Sequence, residues 1–388
     1  MNTDPGQQCD VLIVGGGPAG SSCAARLRQG GKEVVVLDKS PFPRDKTCAG
    51  WITPPILRAL QILEEDYARE NVLQPIRFFR TGVIDGRAAV RTDYDETVSY
   101  GIRRCEFDHY LLERCGADLQ LGFPLKTLDI HDDRIVVNDR FEAQLVVGAG
   151  GHFCPVARRL NPDAEHRTQI VQAQEVEFRM SADQKHSCAV EPDVPELYFC
   201  ADMRGYGWCF RKGDYLNIGL GREGERRLSD HVARFVQFLR KAARIDFDPP
   251  DAYKGHAYRL YGSTKRRLVA DRFLLIGDAL GLASAQSGEG IRPAIESGLM
   301  AADVILGAGG DYCEQTLSAY AAWIEDRFGR PSRKSIGNLL PAPVRAAIAR
   351  GLLGTKSFTR RVLLDQWFLH ADQPDLELSE TYQAAATS

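Results

Sequence analysis

Short apolar runs and glycine-rich segments alternate near the start of the chain. Residues 11–14 (VLIV) and 34–37 (VVVL) are apolar, and the small-residue stretch 21–29 lies between them. A short apolar run bounded by glycine is typical of a buried strand, whereas a longer periodic stretch indicates a helix. The pattern therefore predicts a strand, a tight turn, a helix and a second strand, which together form a βαβ unit.

The remaining chain continues to mix the two kinds of pattern. Helices are predicted at 102–118, at 229–243 and in the small-residue stretch after Gly290. Strands are predicted within 120–149, within 170–222 and at 273–276. The mixture predicts an α/β (α+β) fold, in which a Rossmann-like domain is interleaved with an antiparallel-sheet domain and followed by a C-terminal helical tail.

Composition narrows the class of protein. The chain has 388 residues, of which 44% are hydrophobic and 26% charged, and this excludes a disordered, collagenous or coiled-coil protein. A net charge of −3 gives no general attraction to nucleic acid, so no nucleic-acid partner is expected. The ten cysteines form no Cys-x-x-Cys pair, and we expect no metal site. With no signal peptide or membrane-spanning stretch apparent, the expected location is the cytoplasm.

The turn of the predicted βαβ unit carries a Gly-x-Gly-x-x-Gly motif made of Gly15, Gly17 and Gly20, with Pro18 and Ala19 between the last two. The glycines allow a tight turn, close approach of the backbone to a pyrophosphate, and close packing of the helix on the sheet. Asp38 ends the second strand, where an acidic side chain holds ribose hydroxyl groups and disfavours a 2′-phosphate. The alternative is a glycine-rich turn with an unrelated acid, but spacing and context favour a bound dinucleotide.

A second glycine-rich segment follows the predicted strand 273–276. Gly277 and Asp278 come directly after it, and Gly288 and Gly290 open the helix that begins near Ile291. A carboxylate at this edge can bind a polyol chain such as the ribityl group of a flavin, and the helix N-terminus can face a phosphate. The alternative is a capped helix in which Asp278 only binds turn amides.

An aromatic strand is predicted at 206–210. Tyr206, Trp208 and Phe210 alternate with period two and therefore share one face of a sheet. They either fill a core or line a pocket, and both interpretations can hold, because an apolar sheet floor suits a lipid pocket.

Several segments resemble FAD enzymes with the hydroxylase-type fold, and among these the geranylgeranyl reductase family. They are GGGPAG with Asp38, PFPRDKTCAG at 41–50, RCEFD at 104–108, IGDALGLASAQSGEGI at 276–291, and YGWCFRK at 206–212 with NIGLG at 217–221. The last is similar to the reductases' YxWxFPK…VGxG, with Arg211 in place of the proline. Gly150 stands where flavin hydroxylases carry an aspartate, which disfavours that group.

The resemblance implies FAD as cofactor, with NAD(P)H or a ferredoxin-like protein as the undecided electron donor. It places Lys39, Arg44, Cys48, Ala49, Arg104 and Leu125 near the cofactor. Cys48 lies near the flavin ring, as a gate, a proton donor or only a buried thiol. Arg104 reaches the phosphates or instead pairs with Glu106 or Asp108, and Leu125, in a strand after Gly122, packs on the adenine.

The implied reaction is reduction of carbon–carbon double bonds in a prenyl or other lipid-like substrate, by hydride from reduced flavin. Cys48, Tyr206 and Trp208 are the candidate catalytic residues, and Tyr206, Trp208 and Phe210 the candidate substrate contacts. The histidines, including His152 and His256, are expected to stand singly. Two alternatives stay open: a flavin monooxygenase of a small aromatic or lipid substrate, and a flavoprotein electron carrier or binding module without its own organic substrate.

A basic segment precedes the C-terminus. Nine Lys and Arg and no Asp or Glu lie between Arg327 and Arg361. The segment could rest on an anionic membrane surface, hold a diphosphate headgroup, or form a solvated helix packed on the body; Pro341 and Pro343 are expected to break it. The predicted division is an FAD-binding domain at 1–75, 100–165 and 262–330, a substrate-binding sheet domain at 76–99 and 166–261, and a C-terminal helical region at 331–388.

Overall fold

The fold is described from a computed structural model, which covers residues 6–86, 89–163, 170–224, 227–263, 266–330 and 342–379. In chain order the strands are β1 (Gln7–Val14), β2 (Val34–Asp38), β3 (Trp51–Ile52), β4 (Leu73–Ile76), β5 (Phe78–Val83), β6 (Val90–Asp93), β7 (Ser99–Ile102), β8 (Asp118–Leu121), β9 (Leu128–Ile130), β10 (Ile135–Val137), β11 (Phe141–Gly148), β12 (Ile170–Arg179), β13 (Glu196–Phe199), β14 (Gly205–Lys212), β15 (Tyr215–Glu223), β16 (Lys254–Arg259), β17 (Val269–Ala270) and β18 (Phe273–Leu275). The α-helices are α1 (Pro18–Gln29), α2 (Pro54–Ala59), α3 (Glu64–Ala68), α4 (Arg104–Glu113), α5 (Pro155–Leu160), α6 (Ala182–Ser187), α7 (Leu228–Lys241), α8 (Ile291–Gly307), α9 (Glu314–Leu317), α10 (Ala319–Phe328), α11 (Ala342–Leu353) and α12 (Lys356–Phe358).

A mainly parallel sheet forms the nucleotide-binding half of the molecule. Its strands run in the order β17-β18-β11-β1-β2-β8, and β1 pairs in parallel with β11 and β2. The strand β1 is apolar because both faces of a parallel sheet are covered, and Val11, Leu12 and Ile13 are fully buried. The helices α1 and α8 pack closely together, because a Cβ on Gly298 would lie only 2.3 Å from the carbonyl oxygen of Ala19. The predicted βαβ unit is therefore present at this position.

A seven-stranded, mainly antiparallel sheet forms the second half, in the order β16-β12-β15-β14-β13-β5-β6. All seven strands fall within 76–99 and 166–261, the ranges predicted for a sheet domain. The helix α7 covers one face, where the Phe235 ring fills the space above Gly207. The opposite face carries the aromatic residues of β14 and turns toward the parallel sheet. A small third sheet, β3-β7-β4, is formed by strands that follow β2 and precede β8 in the chain.

Three local expectations were wrong. The helix expected at 102–118 ends at Glu113, because Gly116 adopts φ +66° and β8 begins at Asp118. The stretch 170–222, whose pattern predicted strands, also contains α6, and the start of this helix is fixed by a capping box between Ser181 and Gln184. Leu125, expected in a strand, lies in irregular chain between β8 and β9.

The C-terminal region passes back over the antiparallel sheet. After α11 and α12, a π-helix at Thr359–Phe368 buries Leu363, Leu364 and Phe368 in one cluster with Trp51 and Trp208. Pro343 was expected to break a helix. It lies instead in the first turn of α11, where a backbone N–H would have no partner within the helix and its absence costs nothing. Pro341 and the rest of 331–341, including two of the nine basic residues, lie outside the described residues. Across the described ranges, no helix is long and apolar enough to cross a membrane.

Candidate active site

A cavity of about 560 Å³ lies between the two large sheets. Pockets for small molecules are usually ~300–1,000 Å³, so the size suits a cofactor or a large ligand. Of the residues predicted for the site, those that line this cavity are Gly15, Gly17, Pro18, Ala19, Asp38, Lys39, Arg44, Cys48, Ala49, Arg104, Leu125, Tyr206, Trp208, Asp278, Gly288, Gly290 and Ile291. Segments far apart in the sequence thus meet at one place.

Three predicted site residues do not line the cavity. A Cβ on Gly20 would lie 1.9 Å from the carbonyl oxygen of Gly15, so Gly20 serves the close packing of the turn. Gly277, at φ +60°, packs against Ala19 in the same way. Phe210 is buried two residues beyond Trp208 in β14, on the same face of the sheet. Its ring stacks on the Trp51 ring, with the ring centroids 5.2 Å apart. Phe210 therefore supports the cavity wall rather than facing the cavity.

The carboxyl ends of β1 and β2 form the nucleotide end of the cavity. Gly15 adopts φ +118°, a left-handed conformation that other residues avoid, and α1 begins after Gly17 without a side-chain cap. The first N–H groups of α1 therefore stay available to a phosphate. The Asp38 carboxylate accepts hydrogen bonds from the backbone N–H groups of Gly16, at 2.8 Å, and Ser40, at 2.9 Å.

Two arginines supply positive charge to the middle of the cavity. The Arg104 guanidinium donates two hydrogen bonds to Asp108, at 2.8 and 2.9 Å, and Arg44 lies 3.5 Å from the same fully buried carboxylate. The predicted pairing of Arg104 with Asp108 is therefore present, and Arg104 still lines the cavity. One buried carboxylate between two arginines leaves a net positive charge, which suits an anionic ligand.

Asp278 lies in a short turn after β18, and its carboxylate comes close to Gly290, directly before α8. Its carboxylate is 3.2 Å from the Lys46 ammonium and 3.7 Å from His256 Nε2. Burial alone would raise the pKa of Asp278, but Lys46 and His256 outweigh it and hold this pKa well below the usual range. Asp278 is therefore ionised and binds side chains, rather than only the turn amides of the alternative interpretation.

Two histidines at the cavity are not isolated, contrary to expectation. His256 contacts Asp278, and His152 lies near Arg259. Burial lowers the pKa of both, and with the nearby Arg259 charge brings the pKa of His152 to about 4. Both imidazoles are therefore neutral at pH 7 and can donate or accept a hydrogen bond at a ligand.

The far end of the cavity has an apolar floor made by the antiparallel sheet. Ala173, Tyr206, Trp208 and Tyr258 line it, together with Trp51. The Tyr206 hydroxyl donates to the carbonyl oxygen of Ser287, at 2.5 Å, and the Trp208 indole N–H donates to the Asn217 Oδ1, at 2.7 Å. The aromatic rings are thus held by their polar atoms, and their apolar faces remain for a ligand.

The cavity has the features that FAD requires. The N-termini of α1 and α8 both open into it, and a Cβ on Gly17 or Gly290 would come no closer than 3.3 Å to its nearest neighbours, which are side-chain atoms. Arginine charge lies in the middle, and an apolar floor lies at one end. These residues fit an extended dinucleotide with a negative centre and a flat aromatic group.

Comparison with known proteins agrees with this interpretation. Residues 8–306 match the family described as FAD binding domain. A digeranylgeranylglycerophospholipid reductase from Methanosphaera stadtmanae is 26% identical, with 85% of this chain and 86% of the relative aligned. A menaquinone reductase from Mycobacterium tuberculosis is 29% identical, over 83% and 81%. A geranylgeranyl bacteriochlorophyll reductase-like structure from Thermoplasma acidophilum superposes with a TM-score of 0.71, at 22% identity, over 89% and 88%.

The chain belongs to the FAD-binding domain family. It is an FAD-dependent oxidoreductase, as the resemblance implied.

Sequence reasoning missed several residues of the site. Lys46 forms an ion pair with Asp278, His256 contacts the same carboxylate, and Asn217 anchors the floor. Lys46 and Asn217 stand inside segments that carried the resemblance, and this position was the available signal. His256 gave no signal, because its partner Asp278 is distant in the sequence.

Proposed function

We propose that this oxidoreductase reduces carbon–carbon double bonds in the prenyl chain of a lipid or quinone. The observation that carries the proposal is the apolar floor of Trp51, Tyr206, Trp208 and Tyr258, which continues directly from the part of the cavity that fits FAD. The names of the relatives, a phospholipid reductase and a menaquinone reductase, support the same substrate class.

The residues of this chain bind the cofactor and position the alkene. The N-termini of α1 and α8, with Arg44 and Arg104, would hold the pyrophosphate, and Asp38 would hold the ribose. When bound and reduced, FAD supplies a hydride to one alkene carbon, while a proton from water or an acidic group completes the saturated bond. An isolated alkene has no oxygen to polarise, so Tyr206 and Trp208 act by aligning the chain and excluding water.

The test is an anaerobic reaction without a biological electron donor. The FAD-loaded protein is reduced with dithionite and mixed with geranylgeranyl diphosphate, which dithionite alone does not reduce, and the masses of the products are measured by mass spectrometry. The proposal expects a gain of two hydrogens for each double bond reduced. Products that gain oxygen only in air would show a monooxygenase instead, and unchanged substrates with rapid electron transfer to other acceptors would show an electron carrier.

We further propose that the basic C-terminal segment touches an anionic membrane, where prenyl lipids reside. The helix α11 exposes Val344, Ile348 and Leu352, which are 45%, 50% and 40% exposed and four residues apart, so they share one face. Arg350 lies in the same helix, and the sequence from 327 to 361 has nine Lys and Arg and no acidic residue. An apolar stripe among basic residues suits an anionic bilayer surface.

The same helix is continuous with the substrate end of the cavity. Leu353, next to the exposed Leu352, is buried in the cluster that contains Trp51 and Trp208. A bilayer that binds α11 would therefore lie close to the apolar floor, and a prenyl chain would cross only a short distance from the bilayer to the cavity.

Membrane contact is tested by replacing Val344, Ile348 and Leu352 with serine. Co-sedimentation with phosphatidylglycerol vesicles should weaken at least about tenfold, because the apolar anchor is lost. The control is Leu63→Ser with Ile130→Ser, two apolar residues that are at least as exposed as the tested three and stand beside acidic neighbours, and it should bind as before. Equal binding of both variants and of the unchanged chain would exclude this surface.

A further inference from the structure

A buried polar cluster lies beside the apolar floor of the cavity, on the same face of the antiparallel sheet. Glu175 on β12 and Asn217 on β15 are 7% and 1% exposed, and they do not line the cavity. Glu177 and Lys212 extend the cluster along the same sheet face, with the Lys212 ammonium 2.8 Å from Glu177 Oε1. Burying a polar group costs free energy unless the group is hydrogen-bonded. A hydrogen-bonded polar cluster in an otherwise apolar sheet face therefore points to a specific role.

Asn217 binds two residues of the cavity wall at once. Its Oδ1 accepts the indole N–H of Trp208, at 2.7 Å, and its Nδ2 donates to the carbonyl oxygen of Cys48, at 3.2 Å. The same Nδ2 donates to Glu175 Oε2, at 3.1 Å. Asn217 therefore holds the carbonyl group of Cys48, and Glu175 fixes the orientation of the Asn217 amide.

The donors of Asn217 are committed to these partners. An amide NH₂ has two hydrogens, whereas three acceptors lie within 3.3 Å of Nδ2: Cys48 O, Glu175 Oε2 and Glu177 Oε1. Glu177 is already bonded to Lys212 and Arg103, at 2.8 and 3.3 Å. Cys48 and Glu175 are thus the partners for which Asn217 is needed.

The hydrogen bonds of Asn217 to Cys48 and Trp208 connect the two halves of the protein. Cys48 belongs to the loop between β2 and β3, on the nucleotide side, whereas Trp208 belongs to the antiparallel sheet. Both side chains line the cavity, so the position of one relative to the other decides the space between cofactor and substrate. A single amide that binds both fixes this spacing.

We propose that Asn217 is a positioning residue, which together with Glu175 fixes Cys48 against Trp208 where the cofactor and substrate parts of the cavity meet. The inference rests on the proposed function, because alkene reduction depends on alignment. Its test does not need a substrate, and the two can therefore fail separately.

The test measures how fast the Cys48 thiol reacts with iodoacetamide in the FAD-loaded protein, by peptide mass mapping. Asn217→Leu should raise the Cys48 rate about tenfold, as expected for the loss of an ordinary hydrogen bond that holds its loop. The visible absorption bands of bound FAD should also shift. Cys313, a partly buried thiol remote in the chain, is the internal reference and should react as before.

Two further variants make the result decisive. Gln172→Leu makes the same kind of change at an exposed position of β12 and should alter neither readout. Asn217→Asp keeps an oxygen for Trp208 but loses the N–H donors, so it should also speed alkylation of Cys48, and it carries the test if Asn217→Leu does not fold. Folded variants with unchanged Cys48 reactivity and unchanged flavin bands would overturn the proposal, whatever the enzyme reduces.

Discussion

Asp278 and Glu175 are buried carboxyl groups near the same cavity, and their surroundings move their pKa values in opposite directions. Lys46 and His256 overcome burial at Asp278 and hold its pKa low. At Glu175 burial dominates, and although Lys212 opposes it, the pKa rises to about 8. Asp278 is therefore charged at pH 7, where a cofactor is expected, whereas Glu175 is mostly uncharged beside the apolar floor.

The raised pKa of Glu175 predicts a pH-dependent stability. The folded chain keeps the Glu175 proton up to about pH 8, whereas the unfolded chain releases it near the ordinary value of 4.5. Stability of the unchanged protein therefore falls as pH rises through this window. Glu175→Gln removes this loss of stability, so the melting temperature of the variant relative to the unchanged protein should increase from pH 5 to pH 8, by about 1 °C for each ~1 kcal/mol in a chain of 388 residues.

Glu177→Gln is the matched control for this prediction. Burial opposes ionisation of Glu177 as well, but the Lys212 ammonium prevails and lowers its pKa. Its charge stabilises the fold above the ordinary pKa, so Glu177→Gln should lower the melting temperature at pH 7. A Glu175→Gln difference that stays constant with pH would show that Glu175 is ionised in the folded chain.

At the scale of elements, the close contact of α1 and α8 brings both helix N-termini to the cavity. Gly298→Ala should lower the free energy of unfolding by about 1–3 kcal/mol, because its Cβ would overlap the Ala19 carbonyl oxygen, and FAD should dissociate more readily. Gly307 lies in the same helix, and an added Cβ there would have no atom within 4 Å. Gly307→Ala should therefore be neutral or stabilising by up to ~1 kcal/mol. Thermal melts and retained flavin absorbance measure both effects.

Helices, strands and turns could be predicted from the sequence where neighbouring residues alone determine them. The strand, turn and helix around Gly15 depend on neighbouring residues, and they were predicted well. The end of α4 depends on the chain that follows it, and the place of Phe210 depends on how far β14 runs beyond the cavity. Such boundaries are set by packing, which short sequence windows do not contain.

At the scale of the whole molecule, bound FAD should hold the two halves together. The cavity is lined by both sheets, so FAD binds the folded chain and not the unfolded chain. Removal of FAD should lower the melting temperature, and added FAD should restore it in proportion to the logarithm of its concentration, with ~2.7 kcal/mol gained at about 100 times the dissociation constant. A melting temperature that does not respond to FAD would contradict a cavity shared by both halves.

The overall architecture was predictable from two signals. Glycine-rich motifs identified the nucleotide-binding half, and the alternation of apolar and polar residues identified the antiparallel sheet. Pairs such as Lys46 with Asp278, or Asn217 with Cys48, were not predictable, since the partners are distant in the sequence and no local pattern marks them. Their arrangement follows only from the three-dimensional meeting of the two sheets.

The interleaving of the chain has a consequence for how the molecule is made. The edge of β11 is completed by β18, which follows all seven strands of the other sheet in the sequence. Contacts between such remote segments slow folding, and a chain interrupted before β18 leaves an unpaired strand edge that invites aggregation. An N-terminal fragment is therefore expected to be insoluble, and the yield of native protein should depend on chaperones that shield β11 until the late strand arrives.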